Sequence, residues 1–375
     1  MIRFGILGCG NAGAAIAAHL KLLGHHVSVY DAFPAAIDVV LQNGNRIELL
    51  GNAPVVGVAQ MDLASHDLGQ VVSGSEVLIC TTPAHIHKTL ARDVAPYLRS
   101  DQALVLYPGR TGGVLEFRKM LAEYGGATDA LIVETQTIAY ACRKSGSSVN
   151  VFGYKHEIPF AGLPDERLNK FQKQIQAVFP NWTRAPGLWH TSLHNIGMLF
   201  HPGPTLLNLG RMENGVPFDY YIDGFTPSIA KMVEQLDSER LAVATAMGIT
   251  LPSVQQWLQT SYGCRGSNLY EALQNNQSYK GIKAPQLKQI DDKLQLRYVT
   301  EDVPTGLVPV AALGSRLQVP TPTISAIIDL ACAFYVQDFR KSGRNLNQLG
   351  LEDLTIQQIK MLECQPPLRI HNQRW

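Results

Sequence analysis

The run Asn195-Ile196-Gly197-Met198-Leu199-Phe200-His201-Pro202-Gly203-Pro204 sets a histidine at the end of an apolar segment and follows it with two prolines. Proline ends a helix and restricts the residue before it, so the expectation is an imidazole held at a stopped helix end. Far downstream, Arg297-Tyr298-Val299-Thr300-Glu301-Asp302-Val303-Pro304 adds a guanidinium and carboxylates. An imidazole titrates near neutrality and can give or take a proton. A guanidinium presents a planar fork of donors matched to a carboxylate, and an aspartate beside a histidine holds one tautomer and favours the charged ring. Spacing alone leaves a second reading open for each: a short-range surface ion pair for Arg297 and Asp302, and a carbonyl-capping role at a helix end for His201.

A strand-like Ile2-Arg3-Phe4-Gly5-Ile6-Leu7 runs into Gly8-Cys9-Gly10-Asn11-Ala12-Gly13 and then a helical pattern from Ala14 to Leu23. That is the context a dinucleotide-binding loop requires. Gly8 serves the tight turn, Gly10 lets the backbone approach a pyrophosphate, Gly13 lets helix and strand pack closely, and the helix N-terminus, with Asn11 and Ala12, supplies free N–H donors. A second strand, His26-Val27-Ser28-Val29-Tyr30, ends in Asp31, where an acid would take ribose hydroxyls and repel a 2′-phosphate. The pattern therefore favours NAD(H), with NADP(H) as the alternative. Glycines placed only for packing would not bring these features into register.

The 375 residues exceed one ordinary domain, and 46% apolar content allows sizeable cores. With 32 basic and 31 acidic residues and no basic run, nucleic acid and anionic membrane surfaces are not expected partners. No apolar stretch is long enough to span a bilayer and no signal-peptide pattern opens the chain, so the expected location is cytoplasmic. Cys9, Cys80, Cys142, Cys264, Cys332 and Cys364 are scattered without a CxxC pair, which suggests reduced thiols, mostly buried.

These groups need a scaffold to hold them. Through residue 185 strands and helices alternate as in a parallel sheet. Glu76–Cys80 leads into Thr81-Thr82-Pro83, and Ala103–Tyr107 into Pro108-Gly109-Arg110-Thr111-Gly112-Gly113. Ligands of such sheets bind beyond the carboxyl ends of the strands, so Thr81, Pro83 and Gly109 should line the cofactor site. Simple loop punctuation explains Gly109, Gly112 and Gly113 as well. Ala130–Val133 is a further strand, 148–153 with 157–160 looks like a hairpin, and a helix is expected from Pro164 to Phe179. Periodicity is lost around Asn181–Gly187, which sets the boundary between a domain of residues 1–185 and one of 186–375. The second shows helical patterns at Thr226–Met247, Ser253–Gln259 and Thr323–Phe339. The expected architecture is an α/β Rossmann-type dinucleotide-binding domain plus an all-α C-terminal domain, with the active site in the cleft between them.

The chain resembles the octopine/nopaline (opine) dehydrogenase family. The likeness runs from Gly8–Gly13 through Pro108–Gly113, Glu134-Thr135-Gln136-Thr137 with Tyr140-Ala141-Cys142-Arg143, Asn195–Arg211, and Arg297-Tyr298 with Glu301-Asp302-Val303-Pro304. The last two stretches are the specific ones. Members of that family join the amino group of an amino acid to the keto carbon of a 2-oxo acid and reduce the imine with a nicotinamide cofactor. The resemblance implies His201 as catalytic histidine, Asp302 as its partner, Arg297 as the residue binding a substrate carboxylate, and Glu134 and Arg143 as further substrate-binding residues.

Other constellations are weaker. His190 and His194 are four apart and with His201 suggest a metal site, but the run lacks Asp and Glu, so no metal is expected. His85 and His87 read as solvated residues at a helix start. Asp219-Tyr220-Tyr221 and Tyr262-Gly263-Cys264 suit a substrate pocket or a half-buried core equally. The leading expectation is an NADH-dependent enzyme acting on an amino acid and a 2-oxo acid. A reductase of simple 2-oxo acids and a non-catalytic nucleotide-sensing protein are the alternatives. The sequence leaves the assembly open, with a homodimer compatible.

Overall fold

The computed structural model describes residues 1–362 except 286, 288, 291, 292 and 295. Cys364 lies outside the described residues. The chain divides into two compact units, Met1–Ser192 with Met361 and Leu362, and Leu193–Lys360.

The first unit opens with β1 (Arg3–Leu7), α1 (Asn11–Leu22), β2 (His26–Tyr30), α2 (Pro34–Gln42), β3 (Arg46–Gly51), β4 (Gly57–Gln60), β5 (Leu63–Ser65), α3 (Leu68–Gly74) and β6 (Val77–Cys80). It continues with α4 (His87–Val94), β7 (Ala103–Leu106), α5 (Gly113–Glu123), β8 (Leu131–Thr135), β9 (Tyr140–Ser145), β10 (Ser148–Tyr154), β11 (Ile158–Leu163), α6 (Leu168–Ile175), β12 (Trp182–Arg184) and α7 (Leu188–Ser192). The main sheet has the order β12-β11-β8-β7-β6-β1-β2-β5. From β5 to β8 every pairing is parallel, giving the doubly wound order whose reversal, between β1 and β6, opens the ligand crevice. β6 and β7 are buried at every residue, as strands covered on both faces must be. On one face Ala14, Ala15, Ala17 and Ala18 of α1, all buried, let that helix lie close to the sheet.

Several features of this unit differ from the sequence expectation. Residues 148–153 pair antiparallel with β9, because Gly146, at φ +58°, supplies the short hairpin turn between Ser145 and Ser148. Residues 158–163 instead join the main sheet as β11, antiparallel to β8. β10 also pairs parallel with β3, making a second sheet of order β4-β3-β10-β9. The helix expected over Pro164–Phe179 is a 3₁₀ turn at Asp165–Arg167 followed by the shorter α6. The first unit also continues past the Pro-rich stretch: β12 adds to the sheet edge, where Trp182 stacks on Phe179 with centroids 4.4 Å apart, and α7 is tied to β8 by hydroxyl contacts to Glu134. Finally, His87 is fully buried and only His85 is exposed; His87, Leu90, Ala91 and Val94 form the inward face of α4.

The second unit is helical: α8 (Gly197–Phe200), α9 (Pro202–Leu207), α10 (Leu209–Glu213), α11 (Pro227–Ala246), α12 (Val254–Tyr262), α13 (Leu269–Gln274), α14 (Arg297–Thr300), α15 (Val308–Leu317), α16 (Pro322–Tyr335), α17 (Phe339–Ser342) and α18 (Ile356–Lys360). A wide π turn at Val303–Leu307 links α14 to α15. α11 begins at the Thr226 cap with Pro227 in its first turn, and α12 carries a Ser253/Gln256 capping box and ends at Gly263 in the left-handed region. The helix expected over Thr323–Phe339 is broken at Val336, at φ +48°. Arg240, wholly buried, is held by Asp237 and by the carbonyls of Leu193 and Pro252, which ties α11 to the ends of two loops.

Candidate active site

In the first unit the predicted cofactor residues gather where the strand order reverses. The loop after β1 is bound to its neighbours by Gly8 N–H donating to Tyr30 O at 2.8 Å and Thr81 N–H to Leu7 O at 2.9 Å. Thr81 Oγ1 donates to Gly8 O at 2.9 Å. Each glycine has a distinct cause. Gly8 sits at φ +104°. A Cβ on Gly13 would fall 1.8 Å from Gly8 O, so no side chain fits there. A Cβ on Gly10 would meet nothing within 4 Å, so packing does not demand glycine. That open face lies at the start of a twelve-residue helix whose first turn has no side-chain cap. Backbone donors facing open space are what a pyrophosphate requires, so the residues present fit a dinucleotide. Gly8, Gly10, Asn11, Ala12 and Gly13 would hold its phosphates, and Thr81 and Pro83, on the adjoining strand end, would flank it.

Asp31 Oδ2 accepts the Cys9 N–H at 2.6 Å and its Oδ1 accepts the Phe33 N–H at 2.9 Å. The acid therefore stands against the glycine loop and helps to shape it. Lys144, not foreseen from the sequence, lies over the same loop: its ammonium donates to Cys9 O at 2.7 Å, and its backbone N–H donates to Asn11 Oδ1 at 2.8 Å. Its signal was hidden because it depends on β9 reaching the loop through the second sheet. Burial pushes the Cys9 thiol above its usual range, against the lowering pull of Lys144.

The other predicted residues of this unit divide. A Cβ on Gly109 would meet Glu134 Cβ at 2.3 Å, so this glycine is set by packing. Glu134 is buried, and its carboxylate accepts hydrogen bonds from Thr191 Oγ1 at 2.8 Å, Ser192 Oγ at 2.7 Å and Val114 N–H at 3.2 Å, at the N-terminus of α5. These bonds give Glu134 a structural duty beside the substrate role implied for it. Arg143 is exposed on β9, opposite Asn150.

In the second unit His201 stands at the joint of α8 and α9, and Pro202 is the first residue of α9. The prolines thus begin a helix where the sequence suggested a stop, because first-turn N–H groups have no intrahelical partner to lose. His201 Nδ1 is 2.7 Å from Asp302 Oδ2 and Nε2 is 3.1 Å from Tyr221 Oη. Asp302 is 1% exposed. Tyr298 lies flat on the imidazole, centroids 4.0 Å apart and planes 4° apart. Tyr298 and Asp302 are four residues apart on one helical stretch, so one face presents both to His201. That spacing was visible in the sequence, but the partner of the face was not.

Arg297 and Glu301 form the next pair along the same stretch, with Nε to Oε2 at 3.1 Å. The ion pair offered as Arg297's alternative reading therefore forms, with Glu301 and not Asp302. The Arg297 side chain is 62% exposed. Burial lowers the pKa of both His190 and His194, the latter to about 3 with help from Arg240. Among the described residues no three His, Cys, Asp or Glu side chains gather to hold a metal ion. No helix among them is long and apolar enough to cross a membrane.

Residues 184–335 match the family model for the α-helical domain of NAD/NADP octopine/nopaline dehydrogenase. Residues 3–114 match the N-terminus of NAD-dependent glycerol-3-phosphate dehydrogenase. An opine dehydrogenase of Arthrobacter sp. (strain 1C) is 40% identical over 94% of this chain and 96% of its own. The octopine dehydrogenase of Pecten maximus is 24% identical over 68% and 69%. Among solved structures, octopine dehydrogenase with NADH and L-arginine superposes with a TM-score of 0.77 at 21% identity, covering 98% of this chain and 99% of that one. Yersinopine dehydrogenase with NADP+ gives 0.78 at 15% identity over 96% and 99%.

Proposed function

The chain belongs to the opine dehydrogenase family of NAD(P)-dependent oxidoreductases acting on CH–NH bonds, and we propose that it uses NADH to join an amino acid and a 2-oxo acid into an N-(carboxyalkyl)amino acid. The bond between His201 Nδ1 and the buried Asp302 carboxylate carries this reading. A buried aspartate holding one ring nitrogen turns the other into the working acid or base and stabilises the imidazolium. A histidine that only capped a helix end would have no use for such a partner.

The reaction makes matching demands. Condensation expels the keto oxygen as water, which needs a proton at that oxygen, and reduction of the imine leaves a secondary amine. His201 supplies and recovers the proton, with Asp302 fixing its tautomer. Both substrates carry a carboxylate, and Arg297, largely exposed at the edge of the His201 cluster, offers the planar fork to bind one. When bound, a reduced nicotinamide supplies the hydride. The placement of Asp31 beside the glycine loop favours NADH over NADPH. Solved relatives carrying NADH with L-arginine and with pyruvate support this substrate class. Free thiols at all five described cysteines suit a reducing compartment.

The test is NADH absorbance across a matrix of amino acids against pyruvate, oxaloacetate and 2-oxoglutarate. Consumption that requires both substrates is expected. Equal consumption without the amine would make the enzyme a 2-oxo acid reductase, and NADH binding without consumption in every cell of the matrix would make it a nucleotide sensor.

A further inference from the structure

Tyr221 belongs to a tyrosine pair that the sequence leaves between pocket and core. Its ring is fixed on two sides, stacked on Tyr279 with centroids 4.4 Å apart and edge-on to Tyr220 at 4.9 Å. That packing aims its hydroxyl at His201 Nε2, 3.1 Å away. The imidazole is equally constrained. Tyr298 covers its face, and the Asp302 carboxylate, an acceptor only, makes Nδ1 the protonated nitrogen of the neutral ring. The nitrogen left to exchange protons is the one the tyrosine faces.

We infer that Tyr221 is the group through which His201 exchanges its proton, a relay in a chain running Asp302, His201, Tyr221. The inference rests on the reading of His201 as the acid/base. In the acid direction the imidazolium Nε2–H bond breaks and that proton joins Tyr221 Oη, while the original Tyr221 O–H bond breaks and its proton forms a new bond to the substrate oxygen or nitrogen. The ring ends neutral with Nδ1–H on Asp302, the tyrosine ends as a phenol, and no charge is left on it. The base direction is the same transfer reversed. Burial and the surrounding tyrosines push the Tyr221 phenol well above its usual range, so it is protonated at the start of either direction.

The test follows single-turnover NADH oxidation by the full chain with pyruvate, oxaloacetate and 2-oxoglutarate and an equimolar mixture of the protein amino acids. Tyr221→Phe should slow the turnover on the order of tenfold to a hundredfold, with KM for NADH unchanged. In mixtures of light and heavy water the native rate should curve with deuterium fraction, as two protons move together, and the variant's should be linear. The native measurement stands even if the variant is unstable. A Tyr221→Phe variant at the native rate, or a linear native plot, overturns the relay. His201→Ala separates the two readings: native turnover there removes the acid/base role itself, whereas slow turnover there with an unimpaired Tyr221→Phe removes only the relay.

Discussion

Asp302 places a carboxylate oxygen 2.7 Å from His201 Nδ1 from a position 1% exposed to solvent. At that depth the carboxylate interacts strongly with a charged ring and is poorly screened. Changing His201 to Ala should lower turnover by roughly a hundredfold or more, with NADH affinity little changed. Asp302→Asn should imitate it more mildly. Because the two act as a unit, the double variant should cost less than the sum of the singles. Steady-state kinetics on all three checks this, and full additivity would separate the aspartate from the histidine's chemistry.

Asp31 is predicted to set the preference for NADH, but its two backbone bonds complicate the obvious substitution. Removing the carboxylate also releases the Cys9 and Phe33 N–H groups. Asp31→Ser should therefore raise KM for both cofactors while narrowing the gap between them. Asp31→Asn keeps an acceptor oxygen and removes the charge, so it should narrow the gap with a smaller rise in KM for NADH. Initial rates with both cofactors decide it. An NADPH preference in the native enzyme would refute the role.

Buried histidines predict the acid limb of stability. His19 lies under the second sheet with Nδ1 2.6 Å from Tyr140 Oη, and burial lowers its pKa from 6.5 to about 4. The unfolded chain thus takes up a proton below 6.5 that the folded chain accepts only near 4. Stability should be flat above that window and fall as pH drops through it, by about 3 kcal/mol from this residue. His194, lowered to about 3, should extend the loss further down. Denaturant unfolding at a series of pH values tests this. His19→Leu, whatever its overall stability, should show a shallower slope between 6.5 and 4.

The glycine loop, the buried strands that follow it and the helical character of the second half were legible because each rests on local signals: a turn that only glycine makes at Gly8, apolar runs at β6 and β7, helical periodicity over Ser253–Gln259. What the sequence hid depends on pairing at a distance. Residues 148–160 had strand composition but no sign of which strand each half would join, and Lys144 gained its place over Cys9 only through that pairing. Glu134 was visible as part of a motif, whereas the donors named above come from α5 and α7. Tyr298 stood beside Arg297 in plain view, and only the fold shows that it covers His201.

Arg297 offers the sharpest choice between a substrate role and a structural one, because the readout separates them. The arginine side chain is 62% exposed but its partner Glu301 is buried, so a structural Arg297 would act by neutralising a buried carboxylate and would show in stability. A purely structural Arg297 would therefore be silent in kinetics: Arg297→Ala would lower Tm and leave kcat/KM intact. An arginine that pairs with a substrate carboxylate loses roughly 2–5 kcal/mol on truncation, a thirtyfold or larger drop in kcat/KM by about tenfold per 1.4 kcal/mol. The loss should appear for the acid substrates and not in NADH binding. Arg297→Lys should already be impaired, since the charge stays and the two parallel bonds go. Glu301→Gln completes the comparison by removing the protein partner and keeping the guanidinium. If the arginine serves the substrate, that variant should retain most of the activity that Arg297→Ala loses. Shifts in Tm from both, with kinetics unchanged, would assign Arg297 to the ion pair alone.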